Sequence, residues 1–390
     1  MWRNFDDVPP REGTNSIKYD LRKETFGSSD IIPMWVADMD FRTPGFIIDA
    51  LRKRTGHEIM GYTFRPMSYF SSIITWLETR YGWKTEREWI CFSPGIVPAL
   101  NFATLAFTSP GDGIIMQPPV YHPFFPAVNA HGRNIIFNPL VERNGSWEMD
   151  FDSLRECASG KPKMLMLSNP HNPVGRAWDP DELATMAGIC LENNIIILSD
   201  EIHCDLVLPG YRHTPVASLA PEIARITATC IAPSKTFNLA GLSTSSVIIP
   251  DNELRKKFTG VTENLHITGG NIFGTEASIA AYSLGHEWLE SLLIYLDANA
   301  AFLKEYFTAR IPSVIPAPLE ATYLQWLDCR RLGMTGKQLN EFFVFRAKVG
   351  MNEGSTFGPG GEGFMRMNIA CNRQTLVRAL EQIENAVSDV

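Results

Sequence analysis

The chain is 390 residues long, 45% hydrophobic and 20% charged. This is ordinary globular composition, and a chain of this size buries about three quarters of its unfolded surface without disulfide or metal staples. Its 35 basic and 43 acidic side chains leave a formal net charge of −8, which argues against a general binder of nucleic acid or anionic membrane but leaves room for a local small-anion site.

Residues 1–45 are Pro-rich and irregular around the run IIPMWVADMDF, and read as an arm or strap. The N-terminus MWRNFDDVPPREG lacks the apolar stretch of a signal peptide, and no uncharged run reaches membrane-spanning length, so the cytoplasm is the expected location. Regular structure begins near residue 66, where PMSYFSSIITWLETRYG sets Tyr69, Ile73, Ile74, Leu77 and Tyr81 at helical spacing. Short apolar runs with little polar alternation follow: GIIMQ (113–117), KMLMLSN (163–169), NIIILSD (194–200), ITATCIAPS (226–234) and STSSVIIP (243–250). Such runs are what strands buried on both faces look like. Helical patterns separate them, including GIVPALNFATLAF (95–107) and PDELATMAGICLENN (180–194), the second opening on Pro180, Asp181 and Glu182 as a helix start should.

Alternating strands and helices predict an α/β fold with a mainly parallel, doubly wound sheet. A long helical stretch is predicted from about Phe273 to Arg310. A strand candidate TYLQWLDC (322–329), a helix around KQLNEFFVFRAK, a strand FMRMNIAC (364–371) and a final amphipathic helix RQTLVRALEQIENAVSDV complete the chain. That α+β order predicts a second, smaller domain in the C-terminal third; with the motifs below, the division becomes a large domain over 46–284 and a small discontinuous one from 1–45 with 285–390.

Several motifs are decoys. The seven cysteines are scattered with no C-x-x-C pair, which disfavours a disulfide framework or zinc knuckle and leaves most of them as small buried hydrophobes. Gly358-Pro-Gly-Gly-Glu-Gly363 spells G-x-G-x-x-G but opens into a strand, so it offers no helix N-terminus to a pyrophosphate. HEWLE fails H-E-x-x-H because position 290 is Glu, and no G-x-x-x-x-G-K-[ST] occurs.

Three other segments leave the C-terminal ends of predicted buried strands, where α/β sheets build their sites. SNPHNPVG (168–175) carries Asn169 and Asn172, SDEIHCD (199–205) carries Asp200, and APSKTFNLAG (232–241) carries Lys235. Singly, each has a bland reading as a cap or a surface side chain. Together they bring an amide, a carboxylate and an amine to one sheet edge. A fourth segment, FSPGIVPAL, opens a helix whose free amides at Gly95, Ile96 and Val97 could hold a phosphate.

The order G-x-x-x-A-L, NPxNPxG, DE and SKTF resembles the fold-type I pyridoxal phosphate (PLP) enzymes of the aspartate aminotransferase superfamily, with class I/II aminotransferases among them. WVADMDF, PPVYHPFF, NPHNPVG, SDEIH and SKTFNLAG resemble its MalY/PatB branch of cystathionine β-lyases, or C–S lyases. The resemblance implies PLP, with Lys235 bound to its aldehyde and acting as base, Asp200 paired with its pyridine nitrogen, and Asn172 donating to its phenolic oxygen. It sets Tyr121 on the ring face, His203 and Ser234 beside the cofactor, and the amides of Ile96 and Val97 on the phosphate. Arg366 would clamp the substrate α-carboxylate, and Trp35, Val36 and Ala37 would join Tyr121 in walling the substrate side. Tyr62 would reach the phosphate of a neighbouring subunit, which implies a homodimer.

Two positions depart from the common aminotransferase pattern: His203 stands where many have Tyr, and Ser243 where many have Arg; the MalY/PatB branch shares both. No Lys or Arg occurs from Phe258 to Leu303, where dicarboxylate-specific relatives carry a substrate-binding arginine. The expected reaction is therefore α,β-elimination on a cysteine-like amino acid. An aminotransferase using the same residues, and a regulatory protein on the same fold, stay open as alternatives.

Overall fold

A computed structural model describes residues 5–143 and 145–389. Its main sheet has seven strands: β1 (Ile90–Ser93), β2 (Gly113–Met116), β3 (Asn134–Phe137), β4 (Met164–Ser168), β5 (Ile196–Asp200), β6 (Thr227–Ile231) and β7 (Ser245–Ile248). Their order is β1-β7-β6-β5-β4-β2-β3, and only β7 runs antiparallel to its neighbours. The unalternated runs have a simple cause. Met164 and Met166 pack on one face against Leu100 and Phe258, while Leu165 and Leu167 pack on the other against Leu183 and Met186. Both faces are covered, so both sets of alternate side chains must be apolar.

A second, antiparallel sheet contains β8 (Ile315–Pro316), β9 (Leu324–Asp328), β10 (Asn352–Glu353) and β11 (Phe364–Asn368) in the order β8-β9-β11-β10. The arm is tied to this part of the chain: Ile32–Pro33 pairs in parallel with Val349–Gly350, Asn368 N–H donates to Met34 O at 2.9 Å, and Asp40 N–H donates to Ala370 O at 2.9 Å.

Helix Pro180–Glu192 begins as read, with Asp179 and Glu182 forming a reciprocal capping box around Pro180. Three readings change. The stretch 273–310 is two helices, Ile272–Leu284 and His286–Arg310, which break at Gly285. A Cβ there would lie 2.3 Å from both Ala281 O and Phe237 Cζ, so only glycine lets the two helices meet over that ring. The KQLNEFFVFRAK helix is one short α segment, Gly336–Glu341, continued by a π-turn over Phe342–Arg346. Strands β1 and β3 carry no clear signal in the sequence: both are edge strands, and β3 is exposed at both of its ends.

The G-x-G-x-x-G loop is a packing device. A Cβ on Gly354 would lie 2.0 Å from Gly361 O, so two glycines let the loop cross itself just before β11. Six of the seven cysteines are buried and all are free thiols. Among the described residues no helix is long and apolar enough to cross a membrane, and no His/Cys/Asp/Glu group is arranged to hold a metal ion.

Candidate active site

Strands β4, β5 and β6 are parallel neighbours, so their C-terminal ends lie side by side; Ser168 pairs with Asp200, and Asp200 with Cys230. The three predicted motifs therefore converge. A cavity of about 220 Å³ is lined by Asn172 from the first, Asp200 and His203 from the second, and Ser234 and Lys235 from the third. Gly95, Ile96 and Val97 close one side, and Tyr121 and Ala37 line it as well. Ser243, the position where many aminotransferases carry Arg, lines it too, and so do Ser168, Ile202 and Thr244, which carried no separate signal in the sequence.

Helix Ile96–Phe107 presents its N-terminus to this cavity. Gly95 is the N-cap in extended backbone, and no side chain caps the helix. The hydroxyl just before the helix, Ser93 Oγ, donates to Gly95 O instead. The first amides are thus left for a ligand, and an uncapped helix start attracts an anion.

Asp200 is buried and, among the described residues, its carboxylate accepts one hydrogen bond, from Ile202 N–H at 3.2 Å. Burial pushes its pKa up to about 7, against the smaller opposing pull of that amide and of Lys235. Lys235 stands on the single turn Pro233–Thr236, and its Nζ donates to Ala37 O at 2.5 Å. Burial brings its pKa down to about 8; Asp38 and Asp200 pull upward and the Arg366 charge pushes down. His203 is buried with Nδ1 unpartnered, and burial together with the charges of Lys235 and Arg366 drives its pKa well down, so the ring is neutral.

Arg366 lies in β11 between β9 and β10, not at a sheet edge. It is buried, yet every hydrogen-bond partner is neutral: Nη1 donates to Asn172 Oδ1 at 2.9 Å, and Nη2 to Asn352 Oδ1 at 2.7 Å and Trp35 O at 3.1 Å. Its Nε has no partner, and the guanidinium lies 4.8 Å from the centre of the Phe357 ring. Burial lowers its pKa to about 10, so it keeps its charge at neutral pH. A buried guanidinium held only by amides and a carbonyl has its charge free for an incoming carboxylate.

Sequence reading missed the residues that brace this wall. Tyr323 Oη donates to Ala37 O at 3.0 Å, the carbonyl that also receives Lys235. Asn368 Nδ2 donates to Val36 O at 2.6 Å and Asp38 O at 2.7 Å, and Asn238 Nδ2 to Met39 O at 2.9 Å and Phe41 O at 3.0 Å. These two amides hold the WVADMDF strap over the pocket. Of the predicted walls, Ala37 and Tyr121 face the cavity, while Trp35 and Val36 act through their carbonyls. Tyr62 lies outside its own chain's pocket, fully exposed on the exposed stretch 56–64.

The family model for aminotransferase class I and II matches residues 30–383. The chain belongs to that family. Among curated relatives, cystathionine β-lyase PatB of Bacillus subtilis (strain 168) is 43% identical over 386 residues, covering 99% of this chain and all of PatB. Among solved structures, cystalysin of Treponema denticola, which contains a pyridoxal 5′-phosphate cofactor, matches with a TM-score of 0.96 and 36% identity over the whole of both chains. The PLP-bound C–S lyase of Staphylococcus hominis matches with a TM-score of 0.93 and 33% identity, covering 99% of this chain and 98% of that one.

The pocket of this family member fits PLP by its own chemistry. PLP carries a cationic pyridine nitrogen, a phosphate and an aldehyde. The site offers a buried carboxylate without a tight cationic partner, an uncapped helix start flanked by Ser234 and Ser243, and a partly buried amine of lowered pKa. Asn172 Oδ1 is taken by Arg366, which leaves Nδ2 free to donate to an oxygen such as the phenolic one that PLP would bring.

Proposed function

We propose that this chain is a PLP-dependent C–S β-lyase that converts L-cystathionine, or a related cysteine S-conjugate, to a thiol, pyruvate and ammonia. One observation carries the reading: a lysine and a buried carboxylate line one small cavity, and a buried, uncompensated guanidinium stands behind the Asn172 that lines it. The names of PatB and the S. hominis relative support elimination over transamination, as do His203 and Ser243 in place of the residues common in aminotransferases.

When bound, PLP supplies an aldehyde for the substrate amine and a ring that accepts the electron pair left by the Cα proton. Asp200 keeps the pyridine nitrogen protonated. Arg366 takes the substrate α-carboxylate in its guanidinium and so fixes which Cα bond faces Lys235. Lys235 Nζ, neutral in a large fraction of molecules near pH 8, takes the Cα proton and holds it beside the departing sulfur. The walls from Ala37 and Tyr121 keep bulk water from the reacting carbon.

The division into 46–284 and 1–45 with 285–390 belongs to this proposal; the two sheets, each confined to one of those parts, support it. So does a homodimer in which Tyr62, idle in its own chain, serves the neighbouring phosphate site. The cytoplasm is the location we assign. The test is pyruvate release from L-cystathionine with no keto acid added. Release at a rate dependent on PLP supports the lyase; turnover only when a keto acid is supplied would replace it with an aminotransferase.

A further inference from the structure

We infer that Asp205 is a positioning residue for the catalytic lysine: its buried carboxylate grips Thr236 and so fixes the turn that carries Lys235. The inference rests on the assignment of Lys235 as the PLP lysine and deepens it. Asp205 ends the SDEIHCD segment, is 2% exposed and does not line the cofactor cavity. It accepts hydrogen bonds from Thr236 Oγ1 at 2.8 Å, from Trp76 Nε1 at 2.9 Å and from Tyr81 Oη, and Arg80 Nε lies 3.5 Å away. Two of the three donors, and the Arg80 charge, belong to the C-terminal half of helix Met67–Tyr81. The third donor, Thr236, follows Lys235 directly.

The geometry needs such an anchor. Pro233–Thr236 is a single helical turn, too short to hold its own shape by backbone bonds alone. Successive residues on a helical turn point about 100° apart. Lys235 faces the cavity while Thr236 faces away from it, so a clamp on Thr236 fixes how the turn is rotated about its axis. That rotation decides where Nζ sits. Phe237 repeats the arrangement, with its ring 5.9 Å from Trp76 and 5.7 Å from Trp288. The lysine turn is thus gripped from behind by the same helix, through one carboxylate and one aromatic contact.

Thr236→Val keeps the shape of the side chain and leaves Asp205 with the Trp76 and Tyr81 hydrogen bonds and the Arg80 charge, so the fold is retained. Two readouts are taken on the PLP-loaded chain: the kcat and KM for pyruvate release, and the pH midpoint of the visible absorbance of bound PLP. The expected result is a fall in kcat of about tenfold with KM nearly constant, and a midpoint displaced by about half a pH unit or more. Thr236→Ser restores both. Asp205→Asn shifts the same readouts, and adding Thr236→Val to it then costs little more, because the two act as one contact. Thr227→Val is the control. It removes another fully buried hydroxyl donor, to Ile223 O, at the opposite end of β6, and is expected to lower thermal stability while leaving the midpoint in place.

A Thr236→Val enzyme with wild-type kcat and midpoint would overturn the inference, and so would a Thr227→Val midpoint shift of equal size. Failure of the wild-type chain to take up PLP would overturn it together with the proposed function. Uptake of PLP without cystathionine turnover would remove only the proposed function, and the midpoint comparison would still decide the inference.

Discussion

The two walls of the pocket are built on opposite principles. On the strap wall every main group is held by the protein: Asn368 and Asn238 pin the backbone of residues 36–41, and Arg11 binds Asp38 Oδ2 at 2.6 Å and Asp40 Oδ1 at 2.9 Å. Lys18, itself buried, adds a 2.9 Å contact to Asp40. On the sheet wall the polar groups are left waiting. Asp200 has one weak amide donor, His203 Nδ1 has no partner, and the helix at Ile96 has no cap. The strap wall is preorganised and complete. The sheet wall is complete only with a ligand that brings a cation, an anion and an aldehyde, and its unpaired groups weaken the fold of the empty chain. Arg366 belongs to both: its position is fixed by amides, while its charge is unspent.

The largest expected effect lies on the sheet wall. Lys235→Ala removes the amine that lines the cavity and should lower kcat by about 10⁴-fold or more, with loss of the covalent PLP absorbance. A smaller loss would mean that another group moves the proton. Arg366→Lys keeps the charge but loses the planar fork, so kcat/KM should fall by about 10²-fold while PLP still binds. Equal loss of PLP binding would move Arg366 from the substrate to the cofactor. The strap wall should answer in stability instead. Asn368→Ala leaves the carbonyl of Asp38 without its donor and that of Val36 with only Asp38 N–H, and should cost about 2 kcal/mol in denaturant unfolding. If it changes kcat and leaves stability alone, the strap is not the rigid side.

The legibility of the molecule in its sequence follows the same division. The sheet wall was readable because Asp200 ends its strand and Asn172 and Lys235 each sit four residues beyond theirs, and strand ends are local features. Asn172, Asp200 and Lys235 needed only the rule that parallel strands end together. The strap wall was readable only in part. WVADMDF stood out as a run, but its partners Asn238, Tyr323 and Asn368 lie about 200 to 330 residues away along the chain, and no periodicity announces such contacts. Asn238 had a local hint, since it falls inside SKTFNLAG. Tyr323 and Asn368 lie within or beside ordinary-looking strands. The break at Gly285 was hidden for a related reason: the ring it packs against comes from Phe237.

The central claim is that the sheet wall holds a buried carboxylate that PLP completes, and unfolding free energy tests it directly. Asp200 has its pKa raised from 3.8 to about 7 in the folded chain. Below pH 4 both states hold the proton and nothing is lost; as pH rises from about 4 to 7 the unfolded chain releases it first, so stability falls, by roughly 4 kcal/mol once the window is crossed. Lys235, with its pKa brought down to about 8, contributes a constant amount over that window. The measurement is denaturant unfolding of the PLP-free chain between pH 5 and 7, for wild type and Asp200→Asn. The wild type should lose stability as pH rises, Asp200→Asn should not show that loss, and PLP should restore the wild type but not the variant. Parallel curves for the two chains, or a variant that gains as much from PLP as the wild type does, would contradict the account.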